Sequence, residues 1–350
     1  MMKAAVLTAP RTIEIQERPV PKPGPGQARI RVAAVGVCGS DVHYYEEGRI
    51  GQQIVQYPTL LGHEAAGVVD AVGPGVELPP GTRVAIEPAA PCGQCECCQA
   101  GQYHICPHVK FLGTPPIDGI FEQYHLMPAH CCIPIPHTLS LVEAALMEPL
   151  GVGLHAVALA RPALGETAAV FGSGPIGLCT LLALRLTGVK RVLATDLVPE
   201  RLALAKKLGA NAVMNAGQED VVDWVRRETG GRGVDVTFES AGEQDTVTHA
   251  CRAATLGGRA LFIGIPSDDE RRIPMHECRR KELLIQHVRR SNGEAPRCLP
   301  LFTSGRINLK PLATHFFPLE QVTEAFHLVH RYADGVIRAI IQPNHDLADN

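Results

Sequence analysis

The chain has 350 residues, enough for two domains with separate hydrophobic cores. Hydrophobic residues make up 45% and charged residues 20%, and the net charge of -3 gives no electrostatic reason to expect a nucleic-acid partner. The first residues turn polar too early for a signal peptide, and the longest apolar stretch is broken by charged residues and a proline. We therefore expect a cytoplasmic protein with no membrane partner, whose twelve cysteines are thiols and metal ligands rather than disulfides.

The first 150 or so residues are predicted to form a β-rich domain. Short alternating or apolar runs predict strands, with Pro- and Gly-rich turns between them. Regular helical periodicity is weak in this part of the chain. The predicted strands cover residues 3–7, 12–16, 28–37, 62–72 and 83–86.

A candidate metal site is spread over this first part of the chain. His63 and Glu64 are adjacent, and Cys38 lies upstream; imidazole, carboxylate and thiolate are the groups that bind zinc well. Glu148 stands among apolar residues just before a proline, where a carboxylate is costly unless it is paired or metal-bound. An N-cap or solvated loop glutamate is the alternative for Glu148. We predict that Cys38, His63 and one or both glutamates hold a catalytic zinc ion.

A second cysteine group has the spacing C-x2-C-x2-C-x7-C. Four thiolates from one short lobe can close a tetrahedron around zinc with no open position, which makes a structural site. Cys97 fits no ligand position and is interpreted as a spare thiol. A loop of reduced cysteines and an iron–sulfur cluster are the alternatives. The four predicted ligands are Cys92, Cys95, Cys98 and Cys106.

A strand–glycine loop–helix–strand pattern begins at about residue 152. The strand 167–171 leads into GSGPIG, a helix follows, and the next strand ends at Asp196, nineteen positions after Gly177. In this context the glycines predict a dinucleotide site with the pyrophosphate at the helix N-terminus. Asp196 would bind the adenosine ribose and repel a 2′-phosphate, which favours NAD over NADP. Arg201 could stack on adenine or be a helix-surface charge. The predicted cofactor-binding residues here are Gly172, Gly174, Pro175, Ile176, Gly177, Asp196 and Arg201.

Alternating helices and strands continue to about residue 287 and predict a doubly wound parallel sheet, hence an α/β fold. Ser240 and the run Ile263, Gly264, Ile265 lie at the carboxyl ends of predicted strands and are expected to border the nicotinamide. The last strand is predicted at 281–287, and the tail after 290 is expected to fold back onto the first domain. The predicted domains are therefore 1–151, 152–289 and 290–350.

These motifs, in this order, resemble the zinc-dependent medium-chain alcohol dehydrogenases over nearly the whole chain. Further segments are similar to the polyol (sorbitol or L-iditol 2-) dehydrogenase branch: CGSDVHYYEEGRIG (38–51), AIEPAAPC (85–92), TPPIDG (114–119), MEPLGVGLHA (147–156) and VRRSN (288–292). The resemblance implies a GroES-like catalytic domain, a Rossmann domain and a homotetramer with one catalytic and one structural zinc per subunit. It implies hydride transfer from a secondary hydroxyl of sorbitol, xylitol or a related polyol to NAD, giving a ketose.

The resemblance also implies roles for single residues. Zinc would be bound by Cys38, His63 and Glu64, with Glu148 holding a water molecule or serving as an alternate ligand. Ser40 would take the alcohol proton and pass it toward His43 or water, although a turn-capping serine and a loop histidine are the alternatives. Candidate substrate contacts are Tyr44, Phe111, Thr114, Glu148, Arg289 and Arg290, and Val288 and Arg289 would also border the cofactor. Aromatic residues of the barrel core or of a domain interface are the alternative for Tyr44 and Phe111.

The branch typically has Phe-Arg-Tyr where this chain has Val288, Arg289 and Arg290, and the last position matters for the substrate. Arg290 stands where the polyol dehydrogenases have a tyrosine, and it is either a surface charge or a cation that favours an anionic or phosphorylated polyol. The rival functions are another secondary-alcohol dehydrogenase, such as an L-threonine 3-dehydrogenase or a sugar-alcohol-phosphate dehydrogenase, and a non-catalytic zinc- and NAD-binding protein. A nucleic-acid-binding zinc module is disfavoured because the cysteine lobe lacks flanking Lys/Arg clusters.

Overall fold

The computed structural model describes residues 1–347. Its internal contacts divide the chain into two compact units. The first unit consists of Met1–Glu148 together with the C-terminal segment from Ala295, and the second of Pro149–Glu294. The first unit is β-rich and the second contains a parallel sheet with helices, so the predicted fold class is confirmed. The domain limits predicted at 151/152 and 289/290 remain a prediction.

The N-terminal part of the first unit consists of strands and a few short helices. Strand β3 is buried along its second half, because its apolar residues lie in the middle of a sheet. The strands are β1 (Met2–Ala9), β2 (Thr12–Arg18), β3 (Gln27–Gly36), β4 (Arg49–Ile50), β5 (Gln53–Ile54), β6 (Thr59–Leu60), β7 (Glu64–Val72), β8 (Arg83–Ile86), β9 (Ala89–Ala90), β10 (Lys110–Phe111), β11 (Tyr124–Pro128) and β12 (Cys132–Pro134). The helices are α1 (Gly39–Glu47), α2 (Glu96–Gln99) and α3 (Leu141–Ala145).

The second unit is a parallel sheet with the strand order β15-β14-β13-β16-β17-β18. The order reverses between β13 and β16, which is where ligands bind in open α/β sheets, outside the carboxyl ends of the strands. The strands are β13 (Thr167–Phe171), β14 (Arg191–Asp196), β15 (Ala212–Asn215), β16 (Val234–Glu239), β17 (Ala254–Phe262) and β18 (Leu284–His287). The helices are α4 (Met147–Ala160, which begins at the end of the first unit), α5 (Pro175–Arg185), α6 (Pro199–Lys207), α7 (Val221–Glu228), α8 (Gln244–Ala253) and α9 (Met275–Lys281).

The C-terminal segment completes the main sheet of the first unit. Strand β20 pairs antiparallel with β3, with Ile340 opposite Gly36 and Ile341 opposite Val35. The order in this sheet is β12-β8-β7-β3-β20-β19, and β11 also pairs with β3. The elements of the segment are α10 (Ala295–Thr303), β19 (Ala313–Pro318), α11 (Val322–His330) and β20 (Arg338–Gln342).

The structure corrects several predicted elements. The predicted strand that was expected to end with Ile263, Gly264 and Ile265 is β17, which ends at Phe262, so these three residues follow the strand. The strand expected from 281 begins only at Leu284, because residues 275–281 form α9. Helices α1 and α4 were not predicted at all. Within residues 1–347, no helix combines the length and the apolar character needed to cross a membrane.

Candidate metal centre and nucleotide site

The pairing of β3 with β7 brings the predicted metal ligands together. Glu64 begins β7 and lies opposite Gly36, two residues before Cys38, which is the N-cap of α1. A Cβ atom at Gly36 would lie 2.3 Å from Glu64 Oε2, so only glycine leaves room for the carboxylate here. One donor atom each from Cys38, His63 and Glu64 lies within 4.8 Å of the others.

A buried carboxylate that the sequence analysis missed connects the two ligand segments. Asp41 Oδ2 accepts a hydrogen bond from Cys38 N, and Asp41 Oδ1 accepts one from Gly62 N, both at 3.0 Å. Asp41 Oδ1 also lies 3.5 Å from His63 Nδ1. Carboxylates in this position orient metal-binding histidines. Burial alone would lower the pKa of His63, but the Asp41 carboxylate and Cys38 raise it well above its ordinary value. The only sequence signal for Asp41 is its place three residues after a helix-capping Cys38.

A buried cation also reaches this site. Arg338 Nη2 lies 3.0 Å from Glu64 Oε1, and the two side chains are 3% and 0% exposed. Arg338 Nη1 donates a hydrogen bond to Val37 O at 2.6 Å. Arg338 begins β20, so the pairing of β20 with β3 delivers its charge to Glu64. Arg338 was not among the predicted site residues because no motif in the sequence around it distinguishes it.

Glu148 lies buried in the first turn of α4, which excludes the alternative of a solvated loop glutamate. Burial raises the pKa of its carboxyl to about 7. The Glu64 and Glu87 carboxylates contribute to this rise in the pKa, whereas His63 and Arg338 act in the opposite direction. Glu148 is not part of the closest donor group, which contains Glu64. A carboxyl that titrates near neutrality can take up or release a proton beside that group.

The donor set and its burial fit a zinc ion. Thiolate, imidazole and carboxylate bind zinc at about 2.0–2.3 Å, and three protein ligands leave one position open, as in catalytic zinc sites. Neither carboxylate oxygen of Glu64 accepts a hydrogen bond within the described chain, so both retain lone pairs for a metal. Asp41 and Arg338 supply the surrounding contacts that fix such ligands.

The four predicted lobe cysteines also lie together. The Sγ–Sγ distances are 3.6 Å for Cys92–Cys106, 3.7 Å for Cys95–Cys106 and 4.0 Å for Cys92–Cys98. Four sulfurs at the Zn–S distance of about 2.3 Å form a tetrahedron with edges of about 3.8 Å, so the lobe fits zinc without rearrangement. Backbone amides of Gln94 and Cys95 lower the pKa of Cys92 to about 6, which favours its thiolate. Cys97 is outside the group.

The other candidate residues of the first unit lie on α1 and near β10. Ser40 and His43 are partly exposed on α1, and His43 Nδ1 lies 3.2 Å from Glu47 Oε1. The buried Tyr44 donates a hydrogen bond from its hydroxyl to Gln53 Oε1 at 3.3 Å. The rings of Phe111 and His63 pack with centroids 5.4 Å apart. Thr114 is half-buried in the turn that follows Phe111.

The glycine loop of the second unit has the shape of a phosphate cradle. Gly172 follows β13 with φ +91°, and a Cβ atom at Gly177 would lie 1.9 Å from Gly172 O. Gly174 is the N-cap of α5, Pro175 is the first helical residue, and Ile176 continues the turn. A Cβ atom at Gly174 would meet only the tip of Arg201, 3.6 Å away, so the space above the helix N-terminus is open. Backbone amides facing open space at a helix N-terminus fit a pyrophosphate.

Asp196 and Arg201 lie beside this loop. Asp196 Oδ2 accepts a hydrogen bond from Ser173 N at 2.6 Å, and Oδ1 accepts one from Val198 N at 2.9 Å. The carboxylate is half-buried at the end of β14, where the ribose of a dinucleotide is expected. Arg201 is buried, so the interpretation as a helix-surface charge is wrong.

The remaining predicted cofactor residues lie beyond the carboxyl ends of β16, β17 and β18. Ser240 Oγ donates to Gly172 O at 2.8 Å, which fixes the turn after β16 against the glycine loop. Ile263, Gly264 and Ile265 follow β17, and Val288 N donates to Phe262 O at 2.8 Å. Arg289 is exposed. Arg290 is half-buried with a positive φ of +56°, so it is not simply an exposed surface charge.

Comparison with known proteins agrees with this geometry. Residues 24–137 match the model of the alcohol dehydrogenase GroES-like domain, and residues 175–304 match that of the zinc-binding dehydrogenases. A sorbitol dehydrogenase of Bacillus subtilis is 39% identical over 98% of this chain and 98% of its own length. An Escherichia coli oxidoreductase of unknown specificity has a TM-score of 0.92 and 34% identity, covering 98% of this chain and 99% of its own. An E. coli CFT073 alcohol dehydrogenase complexed with NADH has a TM-score of 0.89 and 30% identity, covering 97% and 99%.

A β-rich unit with a thiol–imidazole–carboxylate group, joined to a parallel sheet with a glycine-rich loop, defines a metal- and nucleotide-dependent oxidoreductase. The chain belongs to the zinc-dependent medium-chain alcohol dehydrogenase family, in the branch that contains the sorbitol dehydrogenases. The resemblance inferred from the motifs is therefore confirmed.

Proposed function

We propose that this oxidoreductase converts a secondary hydroxyl of a polyol, such as sorbitol or xylitol, to the ketone, with NAD as the hydride acceptor. The observation that carries the proposal is the close group of Cys38, His63 and Glu64, in which only Cys38 is partly exposed and which fits a three-ligand zinc ion with one open position. Similarity to sorbitol dehydrogenases over nearly the full chain supports a polyol as the substrate.

A bound zinc ion would supply Lewis-acid polarisation of the substrate hydroxyl. The chain would hold its donor atoms in place: Asp41 orients His63, and Arg338 partly balances the charge of Glu64. Glu148 is poised to hold a proton or a water molecule, because its pKa of about 7 allows both protonation states. We assign the proton path to Ser40 and His43, which lie three residues apart on α1 and are both accessible to water.

The proposed cofactor is NAD rather than NADP. The Asp196 carboxylate stands at the end of β14, beside the loop Gly172–Gly177, and would repel a ribose 2′-phosphate. The other proposed nucleotide contacts are Pro175, Ile176, Arg201, Ser240, Ile263–Ile265, Val288 and Arg289. The proposed substrate contacts are Tyr44, Phe111, Thr114, Arg289 and Arg290. We further propose a structural zinc on the four lobe cysteines, domain limits at 151/152 and 289/290, and a cytoplasmic homotetramer.

A substrate panel tests the proposed activity. The zinc-loaded protein is mixed with NAD and sorbitol, xylitol, L-threonine, a primary alcohol or a sugar-alcohol phosphate, and the near-ultraviolet absorbance of NADH is followed. Polyols should give the highest kcat/KM, and the Cys38→Ser variant should give no turnover, whereas the matched Cys97→Ser variant should retain it. Higher kcat/KM for L-threonine or for a phosphorylated substrate would contradict the polyol assignment. Turnover by Cys38→Ser would contradict the metal site.

A further inference from the structure

Glu239, a buried carboxylate at the end of β16, is not among the proposed metal, cofactor or substrate residues. Glu239 is 1% exposed and forms no ion pair with a cation among the described residues. Instead its Oε1 accepts hydrogen bonds from Ala241 N and Gly242 N, both at 2.7 Å, and from Thr246 Oγ1 at 2.8 Å. Burial raises the pKa of Glu239, while these donors and the amide of Gly264 oppose the rise. An isolated buried carboxylate is costly, so several donors must converge on it.

Glu239 joins two turns, 240–242 and 263–265, whose backbones approach closely at Gly242 and Gly264. Its carbonyl oxygen accepts from Ile263 N at 2.8 Å and from Gly264 N at 3.2 Å. The turns themselves are in direct contact: a Cβ atom at Gly264 would lie 2.1 Å from Gly242 N, and one at Gly242 would lie 2.4 Å from Ile265 O. The residue therefore holds the turn 240–242 against the turn 263–265 without intervening side chains.

The first of these turns also reaches the glycine loop. A Cβ atom at Gly172 would lie 3.0 Å from both the Cβ and the amide nitrogen of Ala241. On the opposite side, Arg271 Nε and Nη2 donate to Gly242 O at 3.2 Å and 3.1 Å. The turn 240–242 is thus held by Glu239 through its amides and by Arg271 through its carbonyl. The turn therefore borders the point between β13 and β16 where the strand order reverses and where a ligand is expected.

We infer that Glu239 is a positioning residue for the nicotinamide half of the dinucleotide. The inference rests on the proposed function, since it requires a dinucleotide at the carboxyl ends of these strands. The adenosine half would lie on Gly174 at the N-terminus of α5, Asp196 at the end of β14 and Arg201 in α6, which are separate from the two turns that Glu239 joins. Loss of the carboxylate should therefore weaken binding of the nicotinamide end and spare the adenosine end. A purely structural role would affect both ends alike or neither.

The test compares NADH with ADP-ribose, which is the same dinucleotide without the nicotinamide ring. Dissociation constants are measured on the full-length protein by NADH fluorescence and by calorimetry with ADP-ribose. Glu239→Gln keeps the shape but turns one acceptor oxygen into a donor, so the carboxamide cannot satisfy both turns. We expect the Kd for NADH to rise about tenfold, or about 1.4 kcal/mol, with the Kd for ADP-ribose within twofold of wild type. The matched control is Glu243→Gln, which removes the same charge from an exposed position four residues away and should change neither constant.

A second variant keeps the test decisive if Glu239→Gln fails to fold. Arg271→Gln releases the same turn from its other side, and it should raise the Kd for NADH about threefold without changing that for ADP-ribose. Equal changes for both ligands, or wild-type constants in the folded variants, would overturn the inference. If the wild-type protein binds neither NADH nor ADP-ribose, the proposed function itself has failed, and this outcome is distinguishable from a loss of selectivity in the variants.

Discussion

Replacing Arg338 by methionine tests how strongly the Glu64 carboxylate, a candidate metal ligand, depends on a neighbouring buried cation. Arg338 and Glu64 are both almost completely buried, with Nη2 and Oε1 3.0 Å apart. The substitution removes the cation and also the donor to Val37 O. Glu64 accepts no hydrogen bond within the described chain. In the metal-free variant, no hydrogen-bond donor would therefore stabilise the negative charge of Glu64.

The size of the effect follows from the burial. Removing one partner of a buried ion pair costs about 3–5 kcal/mol, because the other charge is left without compensation. At about 2–4 °C per kcal/mol for a protein with large domains, Tm should fall by roughly 10 °C. Glu64→Gln combined with Arg338→Met removes both charges and should recover about 2 kcal/mol of the loss. By contrast, Lys3→Gln breaks the exposed pair with Glu320, in which both side chains are almost half exposed, and should leave Tm almost unchanged.

Thermal and urea unfolding of the chelated and the zinc-loaded proteins measure these differences. Zinc should reduce the penalty of Arg338→Met, since the ion supplies positive charge to the same carboxylate. A Tm unchanged by Arg338→Met would refute the reasoning. So would a double variant less stable than the single one, because the loss would then not come from the uncompensated charge.

Three further substitutions test single parts of the account. Glu148→Gln should lower kcat at least tenfold while the Kd for NADH and the zinc content stay within error, since Glu148 is outside the closest donor group; weaker NADH binding with normal kcat would contradict its role. Asp196→Ala should weaken NAD binding and shift the NAD/NADP ratio of kcat/KM toward NADP about tenfold or more, and an unchanged ratio would count against the carboxylate. Asp235 has its pKa lowered from 3.8 to about 2 because hydrogen bonds from Arg232 and Thr167 outweigh its burial. Its stabilising effect is therefore present above pH 4 and lost as the pH falls toward 2, so Asp235→Asn should cost about 1–2 kcal/mol at pH 7 and almost nothing near pH 2. A difference that stays constant across this range would contradict the shift.

Sequence reasoning located the groups with distinctive chemistry. The cysteine spacing, the His63–Glu64 pair and the glycine loop are local signals, and the structure brings each group together. The supporting residues carry no such signal. Arg338 reaches Glu64 only because β20 pairs with β3 and β3 pairs with β7, a relation that one sequence does not reveal.

Two of the helices that were not predicted, α1 and α4, show why periodicity was insufficient. Helix α1 has nine residues and depends on a capping box between Cys38 and Asp41, so its apolar pattern is too short to read. Helix α4 contains Pro149, Gly151 and Gly153, which argue against a helix by propensity. Pro149 lies in its first turn, where proline is tolerated. A Cβ atom at Gly153 would lie 2.6 Å from the carbonyl carbon of Cys179, so the glycine allows close packing on α5.

Metal analysis of three proteins tests the central claim most directly. The two groups of candidate ligands predict two zinc ions per subunit for the wild type and for Cys97→Ser. Cys38→Ser should bind one zinc ion, keep its fold and bind NADH, yet oxidise no polyol. If Cys38→Ser retains both ions and oxidises polyols at the wild-type rate, then Cys38, His63 and Glu64 do not form the centre at which the hydroxyl reacts.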